Sequence, residues 1–210
     1  MKCGSPYSIV SIMVGSSMMQ DKVQWKAGTM IYPLPVVMVS CGDKRENFNI
    51  ITVAWTGTVC TDPAMTYISL QPSRHSHGLI SRTKEFVINL TTRELAFATD
   101  FCGVKSGRDI DKFKTLNLTP VKGTKVRSPL IKESPINIEC RVKEIKQLGS
   151  HDMFLSDVLG VHADKAYFDK KGAFHFERAE PICYSHGKYY LLGRLVGKFG
   201  FSVKKKKKSY

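Results

Sequence analysis

The segment Gln71-Pro72-Ser73-Arg74-His75-Ser76-His77-Gly78 concentrates the groups that an anion requires. It stands between a strand-like run, Met65–Leu70, and a stretch over His77–Phe86 whose Leu79, Ile80 and Thr83 are spaced for one buried face of a helix. A helix N-terminus presents free N–H groups and a partial positive charge. Arg74 adds a guanidinium fork, and Ser73 and Ser76 add hydroxyl donors. That combination suits a phosphate. On composition alone, the same loop serves equally well as a serine cap for its own helix.

Three further segments carry candidate chemistry. Asn49–Thr58 mixes small, hydroxyl and aromatic residues on one extended stretch. A flat aromatic ligand can lie along such a backbone, bonded to N–H groups and packed on Trp55; the plainer reading is a barrel strand whose tryptophan fills the core. The loop Cys102–Asp109 is polar and basic, and Lys112 follows it one helical turn on. Lys112 can neutralise a phosphate or simply be solvated. His151-Asp152 opens a strand after Gly149-Ser150, where a histidine is either a hydrogen-bond partner for a ligand or a structural residue.

Other chemistries are poorly supported. The sequence has no G-x-G-x-x-G after a strand and no G-x-x-x-x-G-K-[ST], which disfavours a dinucleotide fold and a P-loop. H-E-x-x-H and G-x-S-x-G are also missing. The six cysteines form no C-x-x-C pair, which argues against zinc and iron–sulfur sites and for reduced thiols in a cytoplasmic compartment. The formal charge is +14, and +9 without the five lysines of Lys204–Lys208 (14 − 5), so the body of the chain is basic as well. Such a surface suits polyanions or phosphate-bearing cofactors. No apolar run approaches the roughly 18 residues of a membrane span.

The elements that must position these residues are mostly extended. Pro33 and Pro35 exclude a helix, Val36–Ser40 is a compact apolar run, and Asn49–Thr58 reads as the next strand before Asp62-Pro63. Phe86–Leu90 is a strand. Thr92–Phe101, with Thr92 as its cap, and Asp109–Leu116 complete a helical insert. Ile136, Ile138, Cys140 and Val142 alternate with Asn137, Glu139, Arg141 and Lys143, a period of two. Phe154–Asp164 is apolar without strict alternation, as expected where both faces are covered. Strands on both sides of a helical insert predict a mainly β fold, an antiparallel barrel with peripheral helices. One domain over 21–203 is expected. It is preceded by a dispensable extension at 1–20 and followed by a lysine-rich tail at 204–210.

In this order, Tyr32–Val37, Asn49–Pro63, Ser69–Gly78, Phe86–Leu90, Ser106–Phe113 and His151–Phe154 resemble the flavoredoxin-like branch of the flavin reductase family. The match runs from about Gln24 to Lys205, and Gly193–Val203 looks like the family's terminal strand. The resemblance implies an antiparallel split β-barrel of Greek-key type that binds FMN non-covalently at a homodimer interface. By similarity, Asn49 and Trp55 border the isoalloxazine, and Thr52, Val53, Ala54, Trp55 and Thr56 supply backbone contacts. Arg74, Ser76 and Lys112 serve the phosphate, His151 approaches the flavin, and Tyr184 closes the pocket.

The expected function is an oxidoreductase passing electrons from NAD(P)H or a redox protein through FMN to a flavin, metal or protein acceptor, with no residue needed as a general acid or base. An FMN electron carrier without NAD(P)H activity is the alternative within this fold. A basic nucleic-acid-binding barrel is the alternative outside it. The latter is disfavoured because the Lys204–Lys208 run contains no aromatic residue to stack on bases.

Overall fold

The computed structural model describes residues 21–203, so the expected extension at 1–20 and the tail at 204–210 lie outside the described residues. The chain divides into residues 1–31 and a compact unit from Tyr32 to Tyr210. Within the first unit, residues 21–31 form no helix or strand and are exposed. The second unit contains everything that follows.

Its strands begin with β1 (Leu34–Pro35), β2 (Val37–Cys41), β3 (Asn49–Val53), β4 (Thr56–Cys60) and β5 (Met65–Leu70). Helix α1 (His75–Thr83) leads into β6 (Glu85–Leu90), and then come α2 (Ala96–Val104) and α3 (Lys112–Thr115). The short β7 (Pro120–Val121) and β8 (Leu130–Ile131) precede the two long strands β9 (Ile136–Gln147) and β10 (Asp152–Ala163). The described strands end with β11 (Ile182–Ser185) and β12 (Lys188–Leu191).

Seven strands form the main sheet in the order β3-β2-β6-β9-β10-β5-β4, with every pairing antiparallel. The outermost strands, β3 and β4, are joined by just Ala54-Trp55. A sheet whose two edges are consecutive in the chain must curl upon itself, and this one forms an open half-barrel. The sequence reads Asn49–Thr58 as one strand; the structure breaks it at Ala54-Trp55, because the chain leaves one edge of the ladder there and starts the other. The small sheet β1-β11-β12 stands apart from the main one.

The barrel interior is filled by Val37, Val39, Ile68, Phe86, Ile88 and Phe154 among others, closed at one end by Leu79 and Ile80 of α1. A second core lies on the opposite face of β2 and β3, where Met38 and Ile50 pack against Leu95 and Cys102 of the α2 region and Phe113 of α3. Strand β2 is therefore buried at all five positions. Burying about 25 cal/mol per Å² of apolar surface on both faces makes this strand the structural axis of the fold.

The alternation over Ile136–Lys143 is present in β9, but only half of its polar face is solvated: Arg141 and Lys143 are exposed, whereas Asn137 and Glu139 are buried. Segment 122–128 lies over them. The Glu139 carboxylate accepts from the Thr124 hydroxyl at 2.7 Å, from the N–H groups of Lys125 and Val126 at 2.7 and 2.9 Å, and pairs with His162 Nε2 at 2.6 Å.

Other boundaries also differ. Helix α1 starts at His75, and α2 starts at Ala96 with Leu95 as its N-cap. Thr92, expected as that cap, instead makes a β-bridge to Pro181. Gly193–Val203 forms no strand. Glycines at 193, 197 and 200 deprive it of side chains to pack, and Gly200 adopts a positive φ of 80°. Among the described residues no helix is long and apolar enough to cross a membrane.

Candidate functional site

The cleft has two connected compartments beside β3. The distal one, about 130 Å³, is floored by Asn49 of β3, Ser76 of α1, Cys102 of α2 and Lys112 of α3. All four are buried, whereas Ser73, Arg74 and Arg108 at its rim are exposed. The Asn49 Nδ2 donates to Ser76 Oγ at 2.8 Å, which ties the edge strand to the first turn of α1.

The N-terminus of α1 opens into this compartment. Its N-cap is Arg74, in extended geometry, and no side chain caps it. The serine-cap reading of the Gln71–Gly78 loop therefore does not hold; the His77 N–H is taken by Arg74 O at 3.0 Å, and the N–H groups of His75 and Ser76 are those that face a ligand. The compartment is electropositive. Burial first, then the charges of Arg108 and Lys112, holds His75 below the usual histidine range.

The proximal compartment, about 200 Å³, is a slot between apolar and aromatic walls. Val36, Ile51, Val53 and Leu70 line one part, and Trp55, His151, Tyr184 and Tyr189 the other. The Trp55 and His151 rings lie parallel within 4°, with centroids 6.2 Å apart. The Ser150 hydroxyl pairs with His151 Nδ1 at 2.9 Å, which fixes that ring's edge. Tyr189 reaches Asp100 of α2 with its hydroxyl at 3.1 Å and stands edge-on to Tyr184 at 5.9 Å. Ile51, Arg74 and Gly103 line both compartments and mark the passage between them.

The structure brings together ten of the eleven residues expected from sequence: Asn49, Ser76 and Lys112 in the distal compartment, Thr52, Val53, Ala54, Trp55, His151 and Tyr184 in the proximal one, and Arg74 in both. Thr56 is the exception. It is buried, and its hydroxyl donates to Tyr67 O at 2.7 Å within the β4–β5 pairing.

Two others line the cleft with their side chains already engaged. The Thr52 hydroxyl bonds the Thr99 carbonyl of α2. Lys112 Nζ donates to Ile50 O at 2.7 Å and Cys102 O at 2.8 Å, so two of its three protons are held by backbone. Burial first, opposed by the Cys102 and Cys41 thiols, draws its ammonium below the usual lysine range.

Sequence reasoning missed Arg108, Ser106, Gly103 and Tyr189. The first three belong to the Cys102–Asp109 loop, whose small and basic composition carried a signal. The position of Tyr189 depends on the pairing of β11 with β12, which no local pattern reveals. Cys41, Cys60, Cys102, Cys140 and Cys183 are free thiols. Burial pushes Cys41 and Cys140 up to about 12 and Cys102 up to about 11, which makes them inert packing groups.

A family model described as a flavin reductase like domain matches residues 29–193. The chain belongs to the flavin reductase-like family. Its relatives include an uncharacterized protein of Pyrococcus abyssi, 34% identical over 69% of this chain and 79% of its own length. An uncharacterized protein of Archaeoglobus fulgidus is 31% identical over 70% of this chain and 82% of its own. Among solved structures, the flavoredoxin of Desulfovibrio vulgaris (Miyazaki F) superposes with a TM-score of 0.79, at 28% identity over 87% of this chain and all of that one. The FMN-binding protein of Thermus thermophilus with bound 1-cyclohex-2-enone shares the fold at a TM-score of 0.67 and 20% identity, over 84% of this chain and 96% of that one. The curled antiparallel half-barrel of the present chain is the split barrel of these flavin reductase-like proteins.

The donor set in the cleft fits a flavin mononucleotide. The distal compartment offers an uncapped helix N-terminus with Arg74, Ser76, Ser106 and Arg108, which matches a phosphate dianion. The proximal slot sets apolar side chains against Trp55, His151, Tyr184 and Tyr189, which suits a flat aromatic ring.

Proposed function

We propose that this protein is an FMN-dependent oxidoreductase of the flavin reductase or flavoredoxin type, holding FMN non-covalently in the two-compartment cleft. The observation that carries the reading is the junction at Arg74, where an electropositive helix N-terminus meets an aromatic slot. Bound FMN supplies the electron chemistry, and the protein supplies binding, orientation and electrostatics. Arg74 and the first turn of α1 neutralise the phosphate. β3 stands at the edge of the sheet, so the backbone running into Ala54-Trp55 has N–H groups to offer the ring. Trp55 and His151 fix the ring at one end, while Tyr184 and Tyr189 keep water from the other.

NAD(P)H or a redox protein is the proposed electron donor, and a flavin, metal or protein the acceptor. A homodimer is part of this reading. It is supported by Leu195, Val196 and Phe199, which stand 79%, 91% and 108% exposed and call for a covering surface. A cytoplasmic site is supported by five free thiols among the described residues.

The visible absorption spectrum of the purified protein tests the reading, taken with added FMN and then with NADH under anaerobic conditions. The expected result is stoichiometric flavin bands that NADH bleaches; bands that NADH leaves intact favour a carrier fed by another protein. Arg74→Ala is expected to weaken FMN binding by about 1.5–3 kcal/mol, the scale of one charge-assisted hydrogen bond. A protein that remains colourless with excess FMN removes the proposal.

A further inference from the structure

The residue at the rim of the distal compartment lies within the matching segment Ser106–Phe113, but the resemblance assigns it no role. Arg108 projects from the loop between α2 and α3, and both terminal nitrogens of its guanidinium donate to the Ser73 carbonyl at 3.2 Å. Ser73 precedes α1, so the bond joins the two walls of the compartment across its exposed rim. Neither Ser73 nor Arg108 lines the proximal slot, whereas Arg74 lines both compartments. The strap therefore stands at the end remote from the ring site, where anything attached beyond a phosphate has to leave.

The strap has a fixed root. A Cβ on Gly107 would overlap the side-chain amide of Asn49, so the loop lies directly on the floor of the compartment. Asn49 is itself bonded to Ser76. The Arg108 N–H donates to Ser106 Oγ at 3.2 Å, and the Asp109 N–H to Ser106 O at 3.2 Å, which sets the turn from which the side chain departs. With two nitrogens engaged on one carbonyl, the guanidinium keeps further N–H groups for an anion on the floor below it.

We propose that Arg108 is a specificity-determining residue that admits flavins ending in a phosphomonoester and rejects flavin adenine dinucleotide. A terminal phosphate fits beneath the strap and gains its charge. A diphosphate carrying adenosine has to break the Arg108–Ser73 contact to pass the rim. This rests on the FMN reading given above.

The test is a flavin-fluorescence titration of the full-length protein with FMN, FAD and riboflavin, for the wild type, Arg108→Ala and Arg108→Lys. The wild type is expected to bind FMN at least about tenfold more tightly than FAD, and Arg108→Ala to shrink that ratio by about tenfold, the equivalent of one hydrogen-bonded contact. Arg108→Lys keeps the charge but cannot fork across the rim, so it also shrinks the ratio. Riboflavin affinity stays unchanged in both variants. An unchanged FAD to FMN ratio overturns the proposal, and so does a parallel loss of all three ligands. A variant that loses FAD more than FMN also overturns it, because the guanidinium would then be gripping a second phosphate. Failure of the wild type to bind any of the three rejects the FMN reading itself, an outcome distinct from the others.

Discussion

At the scale of single residues, Lys112 shows how a side chain can serve a binding site without spending its charge on the ligand. Two of its protons hold Ile50 O and Cys102 O, so it braces β3 against the end of α2. Lys112→Met is accordingly expected to weaken FMN and riboflavin by similar factors, since it loosens the compartment wall. A titration in which only FMN weakens would show instead that the ammonium acts on the phosphate. The sequence places Lys112 one helical turn beyond the Cys102–Asp109 loop, which is local information, and only the family resemblance adds a phosphate role. That its donors are engaged by carbonyls from two other elements is not local, and no spacing encodes it. Arg108 is the converse. Its glycine-arginine step is visible in the sequence, but its role depends on Ser73, which lies 35 positions away.

At the scale of elements, the two ends of the cleft are connected through α1 and β10. His77, in the first turn of α1, pairs with Asp152 at 2.8 Å, and both side chains are largely buried. Asp152 directly follows His151, so the helix whose N-terminus opens into the distal compartment also fixes the strand that carries His151 into the proximal one. Asp152→Ala leaves the His77 ring without its partner and is expected to cost about 1–3 kcal/mol of stability. Thermal melts measure that cost; a spectral change in the bound flavin, absent from a distant variant of equal stability loss, identifies the positioning role. The strands themselves were legible wherever β-branched and apolar residues run together, as in Val36–Ser40 and Phe86–Leu90. The break at Ala54-Trp55 was not, because it is imposed by closure of the sheet and not by a turn-forming residue. The terminal strand expected at Gly193–Val203 came from the family resemblance alone, and the glycines at 193, 197 and 200 leave that stretch too few side chains to pack as one.

At the scale of the whole molecule, the sheet is covered on its outer face by chain that a buried carboxylate holds down. Burial alone would raise Glu139, but the bonds from His162, Thr124, Lys125 and Val126 outweigh it and bring the carboxyl down from 4.5 to about 2. A carboxylate whose folded value is depressed adds stability above its unfolded value, and that stability is lost as the pH falls towards the folded one. The contribution should thus be complete above pH 5 and fade from about 4.5 down to about 2. Glu139→Gln is expected to cost about 2–3 kcal/mol near neutral pH, with the gap from wild type narrowing over that acid range in urea titrations. A pH-independent gap would make the effect one of packing. The period of two in β9 revealed the strand and its inward face. It did not reveal that Asn137 and Glu139 face a second layer of chain, because a polar side chain bonded to a loop looks the same in sequence as one bonded to water.

The main sheet ends at β3 on one side and β4 on the other, each paired to a single neighbour. Main-chain donors along such a free edge are present whichever side chains the strand carries. A grip of this kind comes with the path of the backbone, so substitutions over Val53–Trp55 are constrained by fit and not by the identity of a donor. On the FMN reading, the ring is thus held by groups that side-chain substitution leaves in place, and discrimination between ligands falls to the charged side chains around the far end.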